Sequence, residues 1–318
     1  MKQKVLVCGA SGFIGQNIMR RLAGIGKHDV YGTVHRSPPP PIKDVTFIHG
    51  DLTHAEEVQS ALRDKDIIIH AAARTSGAKD IIQQPSLHVT DNAVMNSLIF
   101  RQAHECGVKH LVFFSCSVMY PALARPVKEE DFSSDAEMNP KYFGVGWTKV
   151  YSEKMCEFYA RLGRTRFTVI RHSNIYGPND KYDLERSHVF GATVTKVMAA
   201  KGGKISVWGT GQEGRDLLHV DDLVDFVETA LVQKRPAYDL VNVGMGRAFT
   251  VDEMVGCIAR AAGKSIAIEH DLSAPTIPTT LVMDITKAKR DYGWAPRISF
   301  DEGIRRTIKW YQAEYHRP

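Results

Sequence analysis

An apolar strand that runs without pause into three regularly spaced glycines constrains this chain more than any other feature. Residues 5–15 read Val-Leu-Val-Cys-Gly-Ala-Ser-Gly-Phe-Ile-Gly, with glycines at 9, 12 and 15. Gly9 permits a tight turn after the strand. Gly12 removes a side chain where a diphosphate must approach the backbone, and Gly15 lets the following helix lie close to the sheet. The spacing of Ile14, Ile18, Met19 and Leu22 predicts that helix, whose first N–H groups and dipole face the phosphates. Gly9, Ser11, Gly12, Phe13, Ile14 and Gly15 are therefore expected to form a dinucleotide cradle.

The chain has 318 residues, 43% hydrophobic and 24% charged, enough for one large α/β unit with a second lobe. No run approaches the roughly 18 apolar residues that would span a bilayer. Met-Lys-Gln-Lys leads straight into the strand with no apolar leader, so a cytoplasmic protein without a membrane contact is expected. Five cysteines, at 8, 106, 116, 156 and 257, never fall as Cys-x-x-Cys, which predicts reduced thiols. The 13 histidines form no ligand-spaced cluster, so no metal site is expected. The net charge of +5 is not gathered into a Lys/Arg block, which points to anionic small ligands and not to nucleic acid.

Strand patterns at 4–8, 29–34, 45–48, 66–70, 109–115 and 166–171 alternate with helical ones at 13–24, 54–63, 91–106 and 147–162. That alternation predicts an α/β fold, a doubly wound parallel sheet of Rossmann type. Four prolines at 38–41 place a surface loop after the second strand. Past Arg171 the pattern changes, with Asn174-Ile-Tyr-Gly-Pro178 as a turn, glycine-rich stretches at 202–203 and 209–214, and a strand at 205–208. The expected division is a dinucleotide-binding domain at 1–171 plus 215–245, with 239–243 returning to the main sheet. Residues 172–214 and 246–318 are then a smaller, irregular C-terminal lobe that binds substrate.

Around the cofactor, Asp51 and Leu52 follow the third strand, where Asp51 can accept a hydrogen bond from an adenine amino group or cap a helix. Ala71, Ala72 and Ala73 end the fourth strand with small side chains where a diphosphate or ribose passes. The second strand ends in Thr33-Val34-His35-Arg36 with no acid before Asp44. An NAD site usually has a carboxylate there for the ribose 2′-hydroxyl, whereas a guanidinium suits a 2′-phosphate. Arg36 thus favours NADP, with NAD as the alternative.

These features resemble the extended short-chain dehydrogenase/reductase family, the NAD-dependent epimerases and dehydratases, whose members mostly act on nucleotide sugars. The resemblance covers essentially the whole chain. It rests on the glycine turn, Asp51, His70-Ala-Ala-Ala73, Asn92, Ser115-Cys-Ser-Val-Met-Tyr120, Lys149, Asn174-x-Tyr-Gly-Pro178, Arg215-Asp-Leu-Leu-His-Val-Asp-Asp222 and Gly293-Trp-x-Pro296. Within the family the chain is most similar to NADPH-dependent epimerase-reductases, through Tyr120-Pro-x-Leu-Ala, Ser187-His-Val189 and Val207-Trp-Gly-Thr-Gly211. The resemblance implies a homodimer built on the helices at 91–106 and 147–162, although Val94, Leu98, Ile99, Ala103, Val150, Met155 and Phe158 equally suit an internal core.

The family's chemistry uses a Tyr one helical turn before a Lys, so that the ammonium lowers the phenol's pKa. Lys149 is present, but Val145 stands where the Tyr belongs. Tyr142 lies seven residues before Lys149, about 10 Å along a helix axis, and enters the site only if the helix begins late or bends. Cys116 occupies the place of the family's catalytic Ser/Thr, flanked by Ser115 and Ser117. Val118 replaces the epimerising Cys of the epimerase-reductases, whose partner His is matched by His188. On the substrate side the resemblance implies roles for Asn174, His188, Lys196, Trp208 and Arg215, the last gripping a diphosphate. A basic residue of that branch has no counterpart at Leu281. The candidate catalytic set is Lys149, Ser117, Cys116, Tyr142 and His188, with Lys149 also on the cofactor. The implied activity is NADP-dependent oxidation, reduction or epimerisation of a nucleotide sugar. The alternative is a cofactor-binding scaffold or sensor that has lost its redox chemistry.

Overall fold

The computed structural model describes residues 2–74, 85–135, 137–184, 187–274 and 280–315. Seven strands form one sheet: β1 (Gln3–Cys8), β2 (His28–Val34), β3 (Val45–His49), β4 (Ile67–His70), β5 (His110–Phe114), β6 (Arg166–His172) and β10 (Tyr238–Val243). Their spatial order is β3-β2-β1-β4-β5-β6-β10 and every neighbouring pair is parallel. The order reverses between β1 and β4, which opens a crevice at the carboxyl ends of those strands. The strand at 239–243 does return to this sheet, beside β6.

Each central strand is apolar on both faces because helices cover both. Val5 and Val7 of β1 pack with Ile18, Met19, Leu223 and Val227 in one core, while Leu6 and Cys8 pack with Val58, Ile99 and Phe100 in the other. The helices Phe13–Ile25 and Val220–Val232 build the first layer; Ala55–Leu62, Thr90–Glu105 and Phe143–Arg161 build the second.

The last 70 residues are more regular than their sequence suggests. Helices Val251–Ala261, Thr286–Tyr292 and Phe300–Trp310 replace the irregular tail that was expected. Two of them carry ordinary start signals: Thr250 and Glu253 form a reciprocal capping box, and the Ser299 hydroxyl accepts from the Glu302 N–H. Their apolar stripes, Met254, Val255 and Ile258 with Ile304 and Ile308, close a third core around Tyr176, Phe190, Ile205 and Leu217. This core includes β8 (Lys204–Trp208), which pairs with β12 (Ala267–Asp271), and β9 (Gly214–His219), which lies between β7 (Asn174–Tyr176) and β11 (Ala248–Thr250). The tail is fastened by Asp222, whose carboxylate accepts the Arg297 and Ile298 N–H groups while its carbonyl accepts the Trp294 indole N–H.

One buried ion pair joins the elements beneath the site. Arg171, at the end of β6, grips Glu153 with Nε and Nη2 at 2.9 and 2.6 Å, both side chains being almost fully buried. Ser115 donates to the same carboxylate at 2.5 Å. Arg171 Nη1 also donates to the Tyr120 hydroxyl and the Glu129 carbonyl, and Tyr120 donates to Asn242 of β10. Removing one partner from such a pair strands a charge in an apolar interior. Arg171→Met is therefore expected to lower the unfolding free energy by about 3–5 kcal/mol, measured by urea denaturation.

Candidate active site

The glycine turn has the geometry a dinucleotide needs. Gly9 adopts φ +82°, and a Cβ there would sit 2.7 Å from the Ala72 Cα. A Cβ on Gly15 would lie 2.1 Å from the Gly9 carbonyl oxygen, so helix and turn touch only because both residues are glycine. The Gly9 N–H donates to the Thr33 hydroxyl and the Gly12 N–H to the Gly9 carbonyl. No side chain caps the helix at Gly12, which leaves its first amides facing the crevice.

That crevice is a groove of about 850 Å³. Gly9, Ser11, Gly12, Arg36, Asp51, Leu52, Ala71, Ala72 and Ala73 all line it. Phe13 and Ile14 instead turn inward against the first core. Asp51 caps no helix: its carboxylate accepts from the Thr53 N–H and hydroxyl, contacts that hold it below the usual carboxylate range. His35 Nε2 lies 3.5 Å from the other Asp51 oxygen. Arg36 is exposed on the groove and has no ion-pair partner among the described residues. A dinucleotide with an anionic adenosine end fits this lining.

A second cleft, of about 400 Å³, gathers Ser117, Val118, Tyr120, Tyr142, Asn174, Arg215 and Leu281. Strand β5 stops at Phe114, so Ser117 is no longer bound by strand alternation and reaches the wall. The long helix starts at Phe143, four residues before the expected 147, and Tyr142 sits just outside it at the N-cap. Tyr142 therefore enters the cleft, whereas Val145 lines neither cavity. Burial raises the Tyr142 phenol, and the Arg215 guanidinium opposes that rise. Burial likewise lowers Arg215, whose Nη1 donates to the Gly214 carbonyl. Asn174 donates to the Asp216 carbonyl, and Leu281 bridges to the Arg215 backbone.

Lys149 stands at the end of β5, between groove and cleft in strand order. Its Nζ donates to the Phe114 carbonyl at 2.7 Å and lies 4.8 Å from the centre of the Phe113 ring. Burial lowers its pKa, partly opposed by Cys116 and Glu153. The Cys116 thiol is pushed up by the same burial and pulled down by Lys149. Cys116 is half-buried and, like Lys149, off the wall of both cavities.

Three candidates line neither cavity. His188 is exposed at the N-cap of the helix Val189–Ala199 and lies on neither wall. Lys196 donates to the Ser206 carbonyl, and its Nζ lies 5.6 Å from the Trp208 ring. Trp208 is half-exposed, so these two residues meet each other outside the cleft.

Sequence reasoning missed Arg74, His35 and Lys181 on the groove and Glu137, Asn139 and Thr280 on the cleft. Arg74 follows the three alanines directly, and a cation next to a diphosphate path was a usable signal. It pairs with Asp91 at 2.8 Å, while Asn92 holds the Arg74 backbone through both its amide groups. Lys181 comes from beyond β7 and reaches the groove because Asn17 of the first helix donates to the Pro178 carbonyl and accepts from Asn179. No local pattern announces that contact.

A family model described as the NAD dependent epimerase/dehydratase family matches residues 5–244. A GDP-L-fucose synthase of Azorhizobium caulinodans is 29% identical over 316 residues, 97% of this chain and 96% of the relative. A GDP-L-fucose synthase of Escherichia coli is 27% identical over 321 residues, 98% of this chain and 97% of the relative. Among solved structures, a UDP-glucose 4-epimerase of Thermotoga maritima with UDP-glucose superposes with a TM-score of 0.86 at 23% identity. That match covers 99% of this chain and all of the epimerase.

Gly9→Ala would combine a strained φ with a backbone collision at Ala72. It is expected to weaken dinucleotide binding at least about tenfold, since even one misplaced charge-assisted hydrogen bond costs about 1.5–3 kcal/mol. Calorimetry with NAD and NADP checks this.

Proposed function

The chain belongs to the NAD dependent epimerase/dehydratase family, and we propose that it is an NADP-dependent oxidoreductase or epimerase acting at the 4-keto or 4-hydroxyl position of a nucleotide sugar. One observation carries this reading. The glycine-turn groove and a cleft holding Arg215 open at the ends of neighbouring strands, with Lys149 fixed between them at the Phe114 carbonyl. The GDP-L-fucose synthases among its relatives support the same substrate class.

In this reading the amides from Gly9 to Gly12 hold the cofactor's diphosphate, Arg36 takes the 2′-phosphate, and Asp51 and Leu52 flank the adenine. Ala71, Ala72 and Ala73 leave room for the diphosphate and ribose, and Lys149 holds the nicotinamide ribose. The bound cofactor supplies hydride exchange at its nicotinamide. Arg215 grips the sugar nucleotide's diphosphate, where a guanidinium gives paired hydrogen bonds. Ser117 and Asn174 meet the sugar, and the exposed face of Trp208 is available to a base. His188 serves from beside Lys181 and His172, and Lys196 from beside Trp208. The C-terminal lobe is residues 172–214 with 246–318, set on a cofactor domain of 1–171 with 215–245. Its five free thiols suit a reducing cytoplasmic setting.

Val145 favours a second reading, a protein that binds the cofactor without turnover. One assay separates the two: nicotinamide absorbance with NADPH against a panel of GDP-, UDP- and dTDP-4-ketosugars. Oxidation with one of them is expected; none with any would overturn the enzyme. For the cofactor, Arg36→Ser is expected to weaken NADP binding about 10- to 100-fold, one or two charge-assisted hydrogen bonds. NAD binding should change less than about threefold on the same scale.

The face shared by helices Thr90–Glu105 and Phe143–Arg161 supports a homodimer. Ile99, Ala103 and Val150 point into the core, whereas Val94, Tyr151, Phe158 and Leu162 remain exposed. An apolar patch of that kind marks an interface, here with a second copy of the same two helices. Light scattering should give a dimer for the native chain and a monomer for Phe158→Glu.

A further inference from the structure

The loss of the phenol at Val145 leaves open which group moves the proton. Four ionisable side chains line the substrate cleft among the described residues: Tyr120, Glu137, Tyr142 and Arg215. Tyr120 is committed, since its hydroxyl donates to Asn242 and accepts from Arg171 within the buried network. Glu137 is exposed. Arg215 stays protonated in any protein setting. Tyr142 differs from all three. Its ring is half-buried, its hydroxyl has no hydrogen-bond partner among the described residues, and it opens to the cleft that holds Ser117, Asn174 and Arg215.

We propose that Tyr142, standing at the N-cap of the helix Phe143–Arg161, gives and takes the proton at the sugar's carbonyl or hydroxyl oxygen, with Arg215 as its activating charge. The assignment rests on the nucleotide-sugar activity above. The family's usual activating device, an ammonium one turn away, is absent because Tyr142 lies seven residues before Lys149. One other positive charge replaces it: the guanidinium of Arg215 shares the cleft and opposes the rise that burial imposes on the phenol. Burial keeps the Cys116 thiol protonated, so it supplies no base.

The proton count closes on the chain's own groups. During reduction the Tyr142 O–H bond breaks and an O–H bond forms on the former carbonyl oxygen, while reduced nicotinamide supplies the electron pair. The phenolate then recovers a proton from water in the open cleft. In oxidation the same transfers run backwards. Ser117 donates a second hydrogen bond to the same oxygen and does not ionise.

The test uses the full-length chain. Tyr142→Phe keeps the ring and removes the hydroxyl. It should reduce kcat on an active 4-ketosugar at least about 100-fold, the usual share of a positioned acid, with NADPH binding unchanged by calorimetry. Loss of less than about threefold would overturn the proposal. A second measurement needs no turnover. In protein labelled at tyrosine Cζ, the resonance missing from Tyr142→Phe reports this phenol, and its pH titration should move upward when GDP is added or when Arg215 is changed to Met. A titration unmoved by both would overturn the proposal. If the native protein is inert toward every sugar, the activity assigned above falls, and the resonance alone decides whether Arg215 tunes this phenol.

Discussion

The bidentate contact between Arg171 and Glu153 is the constraint on which the site's geometry depends. Burying two charges is costly, and only paired, fully hydrogen-bonded geometry offsets that cost. Here the pairing demands that β6 and the long helix stay in one register. Ser115, Tyr120 and Asn242 complete the network and bring in the loop after β5 and the edge strand β10. Each of these partners borders a candidate site residue or the cleft. Ser115 precedes Cys116 and Ser117, Glu153 follows Lys149 by one turn, and Tyr120 forms part of the cleft wall. A structural ion pair thus sets the positions of groups that never touch it. It also gives Tyr120 of the strand-end motif a structural task.

The first half of the chain was legible because its signals are local. The turn could be read from eleven residues, since Gly9 and Gly15 answer steric demands at the turn itself. The alternation of strand and helix gave the parallel sheet for a similar reason: central strands buried on both faces must be short and apolar. The C-terminal part was harder to read. The helices Val251–Ala261 and Phe300–Trp310 carry capping residues and clear stripes, yet glycines and short loops around them suggested irregularity. Lys181 could not be found at all, because the Asn17–Pro178 and Asn17–Asn179 contacts that place it span about half the chain. Lys196 and Trp208 were expected beside the cleft and instead pair with each other outside it, a matter of how β8 packs and not of any local pattern.

Helix boundaries mattered most at one point. The pattern at 147–162 hides the first turn, because Phe143, Gly144 and Gly146 are poor helix signals. Yet Gly146 is required: a Cβ there would press on the Met138 sulfur at 2.1 Å. The helix start at Phe143 leaves Tyr142 at the junction between it and the single 3-10 turn Pro140–Tyr142, from which the residue lines the cleft.

Moving the phenol from the neighbourhood of Lys149 to that of Arg215 changes when its activating charge is available. Lys149 would keep its charge near a phenol at 145 whether or not substrate was present. Arg215 is the residue that would meet the substrate's diphosphate, and an anion there cancels much of the field that lowers the phenol's pKa. Burial already holds the Tyr142 phenol above its ordinary range, so it is protonated before and after a nucleotide sugar binds. What the substrate's anion changes is how readily that phenol releases its proton, which ties the activating charge to the occupancy of the diphosphate site.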